Sequence, residues 1–314
     1  MKKLFALTLL AFAAAATHAQ ETKVSIGISG WTGFAPLTLA KEAGIFKKHG
    51  LDVTLKKIPQ KDRHLAIASG DIQCAATTVE TWIVWNANGV ATTQIFQLDK
   101  SFGADGMVVK PQIQKIADLK GKTVAASAPG TAPYFTMAWM LKKNGLSPKD
   151  VKVVNLEPQA AANAMIAGTA DLDAALTYEP YLSAVRAKPE AGKIIATTLD
   201  YPMVMDTFGC TPKFLAENPK AAKALADGYF DAVDMIRKEP RKSFEIMGAD
   251  VKQSAEQFEA SQKFLRWQDR EANQKFFAGE HAAFSKEAAQ LLLEIGVIKQ
   301  IPDLSKLADT RFLK

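Results

Sequence analysis

Aromatic, hydroxyl-bearing and acidic side chains fall at matching points of two similar stretches of this chain. Gly30-Trp31-Thr32-Gly33 and Thr77-Thr78-Val79-Glu80, with Trp82 two residues on, are answered by Pro129-Gly130-Thr131 and Thr177-Tyr178-Glu179-Pro180. This set suits noncovalent capture of a small molecule. Thr32 and Thr131 open helix-like runs, where free backbone N–H groups and a hydroxyl hold an oxyanion or polar oxygen; a threonine there also reads as a plain N-cap. Trp31, between two glycines, is poorly placed for a core indole and is expected to wall an organic ligand. Trp82 reads equally as a second wall or as a core residue. Glu80 and Glu179 stand at equivalent positions, and with Asp206 they suit an amino, amidine or ring N–H group. Asp99, Ser101 and Asp105 cluster near a chain crossover, where hydrogen bonds would brace a hinge. No arginine lies in the four loops, so a bare anion held by a bidentate guanidinium is not expected.

Signals for covalent or metal chemistry are weak. Beyond His18 the histidines are His49, His64 and His281, each in a polar, helix-surface context without a cysteine nearby or a second ligand at helical spacing. A zinc or nucleophile–histidine site is therefore not expected. Ser101, Ser127 and Ser183 lack a G-x-S-x-G setting, and neither a phosphate loop nor a dinucleotide fingerprint is present. The chain reads as a binder without cofactor or metal.

The elements that must carry these loops repeat. Lys23–Ile28, a helix-like run and Leu51-Asp52-Val53 correspond to Lys122–Ala126, a helix-like run and the segment around Val151; Ala66–Ile72 corresponds to Ala164–Leu172. Strands are expected at 23–29, 51–57, 72–77, 92–98 and 106–110, and helices at 35–48, 61–69 and 79–88. This alternation predicts mostly parallel sheets covered on both faces, with the loops at the carboxyl ends of the strands, where such sheets gather ligands. Two α/β lobes follow: lobe I at 20–112 and 204–314, lobe II at 113–203, with hinges near 105–111 and 199–206. From about Pro212 the chain is helix-patterned, and this tail is expected to rejoin lobe I.

Met1–Ala19 has a basic start, an apolar run from Leu4 to Ala16 broken only by Thr8, and a small residue at its end. It reads as a cleavable signal peptide, too short to span a membrane, and the chain is expected in the periplasm. Loss of Lys2 and Lys3 lowers the formal charge from +6 to +4. The remaining basic residues are spread over helix-like faces, which disfavours a nucleic-acid partner. Cys74 and Cys210 sit in separate strand-like segments; an exported chain permits a disulfide, but this one is large enough not to need it, and the pair reads as two buried thiols.

Four segments, Ala35–Leu51, Ile67–Asp71, Asp118–Lys122 and Tyr178–Tyr181, make the chain resemble periplasmic solute-binding proteins of ABC importers. The resemblance is to the nitrate, sulfonate and taurine group, which includes relatives binding the pyrimidine precursor of thiamine. It covers residue 23 to about 210. It implies a type II-like clamshell with two hinge crossovers, acting as a monomer that closes on a small molecule and presents it to a membrane permease. Within that family, the loops favour an amino-sulfonate such as taurine, or a pyrimidine-like ring, over nitrate. Cytosolic pyrimidine-precursor synthases share the fold, but their cysteine-rich motif and their cofactor-bearing lysine beside a histidine have no counterpart here.

Overall fold

Alternation in the first strand sets the first layer: β1 (Thr22–Ile28) buries Val24, Ile26 and Ile28. Pro36, in the first turn of the helix Ala35–Glu42, lacks an N–H where the helix needs none, and that helix buries Leu37, Leu39 and Ala40. The structure, a computed structural model, describes residues 21–314, so the expected signal segment Met1–Ala19 lies outside the described residues.

The remaining strands are β2 (Leu51–Lys57), β3 (Cys74–Thr78), β4 (Thr93–Ser101), β5 (Asp105–Val109), β6 (Thr123–Ala125), β7 (Lys152–Val154), β8 (Ala174–Tyr178), β9 (Lys193–Thr197), β10 (Met205–Cys210) and β11 (Leu265–Trp267). Among the described residues they form two sheets, ordered β11-β4-β10-β3-β1-β2 and β7-β6-β8-β5-β9. The inner orders correspond strand for strand: β2-β1-β3-β10-β4 matches β7-β6-β8-β5-β9. The duplication read from sequence is therefore a structural one, with an exchange. Each sheet receives as its fourth strand the segment just after a crossover, β5 leaving the first sheet for the second and β10 returning.

That exchange corrects two expectations. The sheets are mixed, not mostly parallel, because a strand entering straight from the other sheet runs antiparallel to its neighbours. The sequence boundary at 112/113 also falls one strand late. β5 belongs to the second sheet, and the chain crosses at 102–104 and 198–204. The crossovers lie side by side: the Thr198 hydroxyl is 2.6 Å from Ser101 Oγ and accepts the Gly103 N–H at 2.9 Å.

Phe96, Phe208, Tyr229 and Phe230 pack in one cluster, which seats the helix Pro219–Lys238 on the first sheet. The last long helix, His281–Glu294, departs from the expectation that the tail simply rejoins this lobe. Its Phe284 ring lies 6.3 Å from Phe135 and 5.9 Å from Trp139, both on the second sheet's helix Ala132–Lys143. Lys142 and Lys143 reach Glu294 at 2.5 Å and Glu287 at 3.4 Å. The tail straps the lobes together along one face. His281 is also buried, not on a surface, with Nε2 3.2 Å from Gln94 Oε1.

Cys74 and Cys210 are bonded, against the reading as separate thiols: they stand opposite each other on β3 and β10, where side chains of adjacent antiparallel strands meet. The bridge closes a separation of 136 residues that contains the whole second sheet. Reduction, or replacement of both cysteines by alanine, is expected to lower the unfolding free energy by about 2–4 kcal/mol, read as a lower denaturant midpoint in chemical unfolding.

Candidate functional site

The carboxyl ends of β1 and β3 face those of β6 and β8 across the line between the sheets, and the contacts there are made by side chains and loops. Gln60, first residue of the helix Gln60–Ala68, donates to Thr77 Oγ1 at 2.7 Å and Thr81 Oγ1 at 2.9 Å, while its Oε1 accepts the Ala132 N–H at 3.1 Å. Thr32 N–H donates to the Glu179 carbonyl at 3.3 Å. Behind these bridges lies a cavity of about 20 Å³, lined by Trp31, Phe34, Gln60, Arg63, Thr78, Asp105, Ala132, Tyr178 and Asp206, among others. Trp31 and Tyr178 meet edge to face at 5.3 Å. Outside it, an open groove of about 810 Å³ runs between Gln159–Ala187 of the second lobe and Lys57 and Asp250–Ala260 of the first. Gly30 and Tyr181 line that groove, so the segments 29–31 and 178–181 form the partition between groove and cavity.

Of the residues expected to bind, Trp31, Thr78, Tyr178 and Asp206 line the cavity. Glu80 stands immediately behind Thr78, whose hydroxyl donates to its carboxylate. Thr32 is fully buried and its hydroxyl has no partner among the described residues. The others do different work. Trp82 is core: its indole N–H donates to Thr207 Oγ1 at 2.8 Å and its ring packs on Trp85 at 4.8 Å. Glu179 pairs with Arg186 of its own lobe and accepts the Ser183 N–H at 3.1 Å, and it is not among the residues lining the cavity. Burial outweighs that ion pair and leaves the Glu179 carboxyl above the usual range. Thr131 turns its hydroxyl onto the Ala128 carbonyl at 2.7 Å, and Gly130, at φ +87°, abuts Val84. The two helix starts expected to hold an oxyanion have thus given backbone N–H groups to Gln60 and Glu179.

Four groups at the cavity escaped the sequence reading as binding residues: Gln60, Arg63, Asp99 and Asp105, the last two having been expected only to brace the hinge. Arg63 comes from a helix, not a loop, and is buried with Nη1 on the Ala76 carbonyl at 2.5 Å and Nη2 on the Ile58 carbonyl at 2.9 Å. Its stem fits because residue 27 is glycine: a Cβ there would stand 2.9 Å from Arg63 Cγ. Asp99, expected to brace the hinge, accepts the Trp31 indole N–H at 3.4 Å and faces Asp206 across β4 and β10. Burial pushes the Glu80 carboxyl up to about 8 and Asp105 up to about 7, and holds Asp99 and Asp206 well above the usual range, with like charges adding to the effect. The same burial pushes Arg63 down to about 10.

Two lobes joined by paired crossovers and closing on a buried polar cavity define the periplasmic-binding-protein fold. The chain belongs to the family described as NMT1/THI5 like, which matches residues 31–243. The taurine-binding periplasmic protein of Escherichia coli is 29% identical over 236 residues, 73% of this chain and 69% of that protein. The alkanesulfonate-binding protein of Xanthomonas axonopodis bound to MOPS superposes with TM-score 0.77 at 16% identity, over 93% of this chain and 99% of that one. A desulfurization enzyme, DSZB, shares the fold at TM-score 0.65 and 15% identity, over 93% and 98% of the two chains.

A carboxyl whose folded value is raised holds its proton in the native state after the unfolded chain has released it. Stability is then fully present below the unfolded value near pH 4 and declines as pH rises through the folded one. For Asp105 and Glu80 the decline runs from about pH 4.5 to 8, at most about 1.4 kcal/mol per pH unit for each titrating group. Thermal midpoints of the unliganded protein are expected to fall over that interval, and Glu80→Gln to flatten the upper part of the curve.

Proposed function

We propose that this chain is the periplasmic solute-binding component of an ABC importer, capturing a small nitrogen-containing organic molecule between its lobes and presenting it to a membrane permease. The observation that carries the reading is the cavity walled from both sheets, with Trp31, Thr78 and Asp206 from one and Tyr178 and Asp105 from the other. The lobes are residues 21–101 with 205–314, and 105–197, joined by the two crossovers. The taurine-binding relative supports a nitrogenous solute; the pyrimidine-like alternative rests on the aromatic pair Trp31 and Tyr178.

The closed cavity of about 20 Å³ holds no more than about one water, so a solute enters only when the lobes part. Helices Ala132–Lys143 and Pro158–Ile166 flank β7 in chain order and connect strands in opposite directions, so right-handed crossovers put them on opposite faces of the second sheet. The tail straps the first face, and the groove lies along the second. Opening therefore pivots about the strap and the crossovers and widens the groove until it joins the cavity, a hinge motion of the kind used by binding proteins. Capture needs no cofactor, and a single copy of the chain suffices.

The test is a thermal-shift screen of the mature protein across sulfonates, taurine, nitrate, ureas, amines, amidines and pyrimidines, followed by small-angle scattering with the best compound. Binding is expected to raise the melting temperature and reduce the radius of gyration, with the compound recovered unchanged. Trp31→Ala is expected to weaken it at least about 10-fold, through loss of an aromatic wall, whereas Glu179→Gln lowers the melting temperature and acts on affinity only through the lobe. Turnover of the compound, or binding without compaction, would contradict the proposal.

A further inference from the structure

The cavity is rich in acceptors and poor in donors. Asp105 lines it with Oδ2 unpartnered, and Asp206 and Thr78 line it beside Asp105. Directly behind, Glu80 Oε2 and Asp99 Oδ1 are buried without partners, and so is the Thr32 hydroxyl in the Trp31–Phe34 turn of the wall. Most of the donors are already engaged, leaving the Ser29 and Tyr178 hydroxyls, which line the cavity, and one guanidinium N–H. The Trp31 indole N–H is on Asp99, the Gln60 amide on two threonines, and the N–H groups of Thr32 and Ala132 on partners across the cleft. Arg63 gives Nη1 and Nη2 to backbone carbonyls and keeps only Nε free.

A sulfonate or nitrate brings three acceptor oxygens and no donor, so it would be received by the Arg63 Nε–H and the two hydroxyls alone, and its charge would oppose ionisation of Asp105 and Asp206, which a cation would favour. Buried polar groups left unpaired are costly, and charged ones more so, so this arrangement disfavours anions relative to cations. The complementary head is a compact cation bearing several N–H donors, able to reach Asp105 and Asp206 together while its flat or apolar side lies against Trp31 and Tyr178. Those two rings add a favourable face for a cation.

Resting on the proposal that the cavity is the solute site, we infer that the solute is a small organic monocation of the amidinium, guanidinium or primary ammonium class, with Asp105 and Asp206 as the residues that determine charge specificity. An amino-sulfonate satisfies this only through its ammonium end, leaving its sulfonate to Arg63 Nε or to the groove.

Isothermal titration of the mature protein at pH 8 with acetamidine, guanidine, methylguanidine and ethylamine, against taurine, ethanesulfonate and nitrate, separates these chemistries at millimolar ligand. At least one of the four cations is expected to bind more tightly than every sulfonate and than nitrate. Asp206→Asn and Asp105→Asn, checked for folding by circular dichroism, are each expected to weaken that cation about 30-fold, as loss of a charged hydrogen bond does. Ser69→Ala, an exposed control on the helix Gln60–Ala68 side of the first lobe, is expected to leave it unchanged. Tighter binding of ethanesulfonate or nitrate, accompanied by compaction in scattering, would overturn the charge assignment and leave the solute-binding reading intact. Cation binding that is indifferent to both aspartates, or no cation binding at all, would also overturn it.

Discussion

Four carboxyl groups, Glu80, Asp99, Asp105 and Asp206, are enclosed where the carboxyl ends of two sheets face each other, and one guanidinium, Arg63, is enclosed with them. Removing an ion from water costs several kcal/mol unless a partner replaces its hydration. Arg63 makes its two close hydrogen bonds to backbone carbonyls, so burial favours the protonated acids while the cavity is empty, and a bound cation would favour their ionised forms. The unliganded closed interior is thus kept at a cost in stability that a fitting solute would offset. Mass action then favours the closed, occupied form over the closed, empty one.

The architecture that encloses this interior is equally constrained. Exchange of β5 and β10 between the sheets places the two crossovers side by side, bound through Thr198, and that pair serves as a hinge without any long flexible linker. Asp105 is the first residue of β5, and Asp206 is the second of β10. The strands that change lobes therefore carry the two acids that line the cavity, so lobe movement and the position of the carboxylates are coupled through the backbone. The disulfide fixes β10 to β3 at the far end of the same strand pair, and the tail helix limits separation along one face.

Most of the fold was legible because local pattern and duplication agree: the strands at 22–28, 51–57, 74–78 and 93–101 fall within two or three residues of their sequence expectation. β5 was legible as a strand but not as a member of the second sheet, since alternation says nothing about which sheet a strand enters. Of the residues lining the cavity, Trp31, Thr78 and Tyr178 could be found from the repeat, and Asp206 from its place at the second crossover. Arg63 could not, because a lysine- and arginine-bearing helix reads as solvated surface, and only the missing Cβ at Gly27 makes room for its stem. Glu179 looked equivalent to Glu80 by position. The difference is Arg186, seven residues on, which has no counterpart beside Glu80.

The solute is expected in the inner cavity, against the acids, and not in the outer groove. A crystal structure of the mature chain with its tightest nitrogenous solute measures this directly. Density is expected between Trp31 and Tyr178, within hydrogen-bonding distance of Asp105 and Asp206, with the groove closed over it by Tyr181. Density confined to the groove beside Lys57, Asn163 and Lys252, with the inner cavity unchanged, would contradict it.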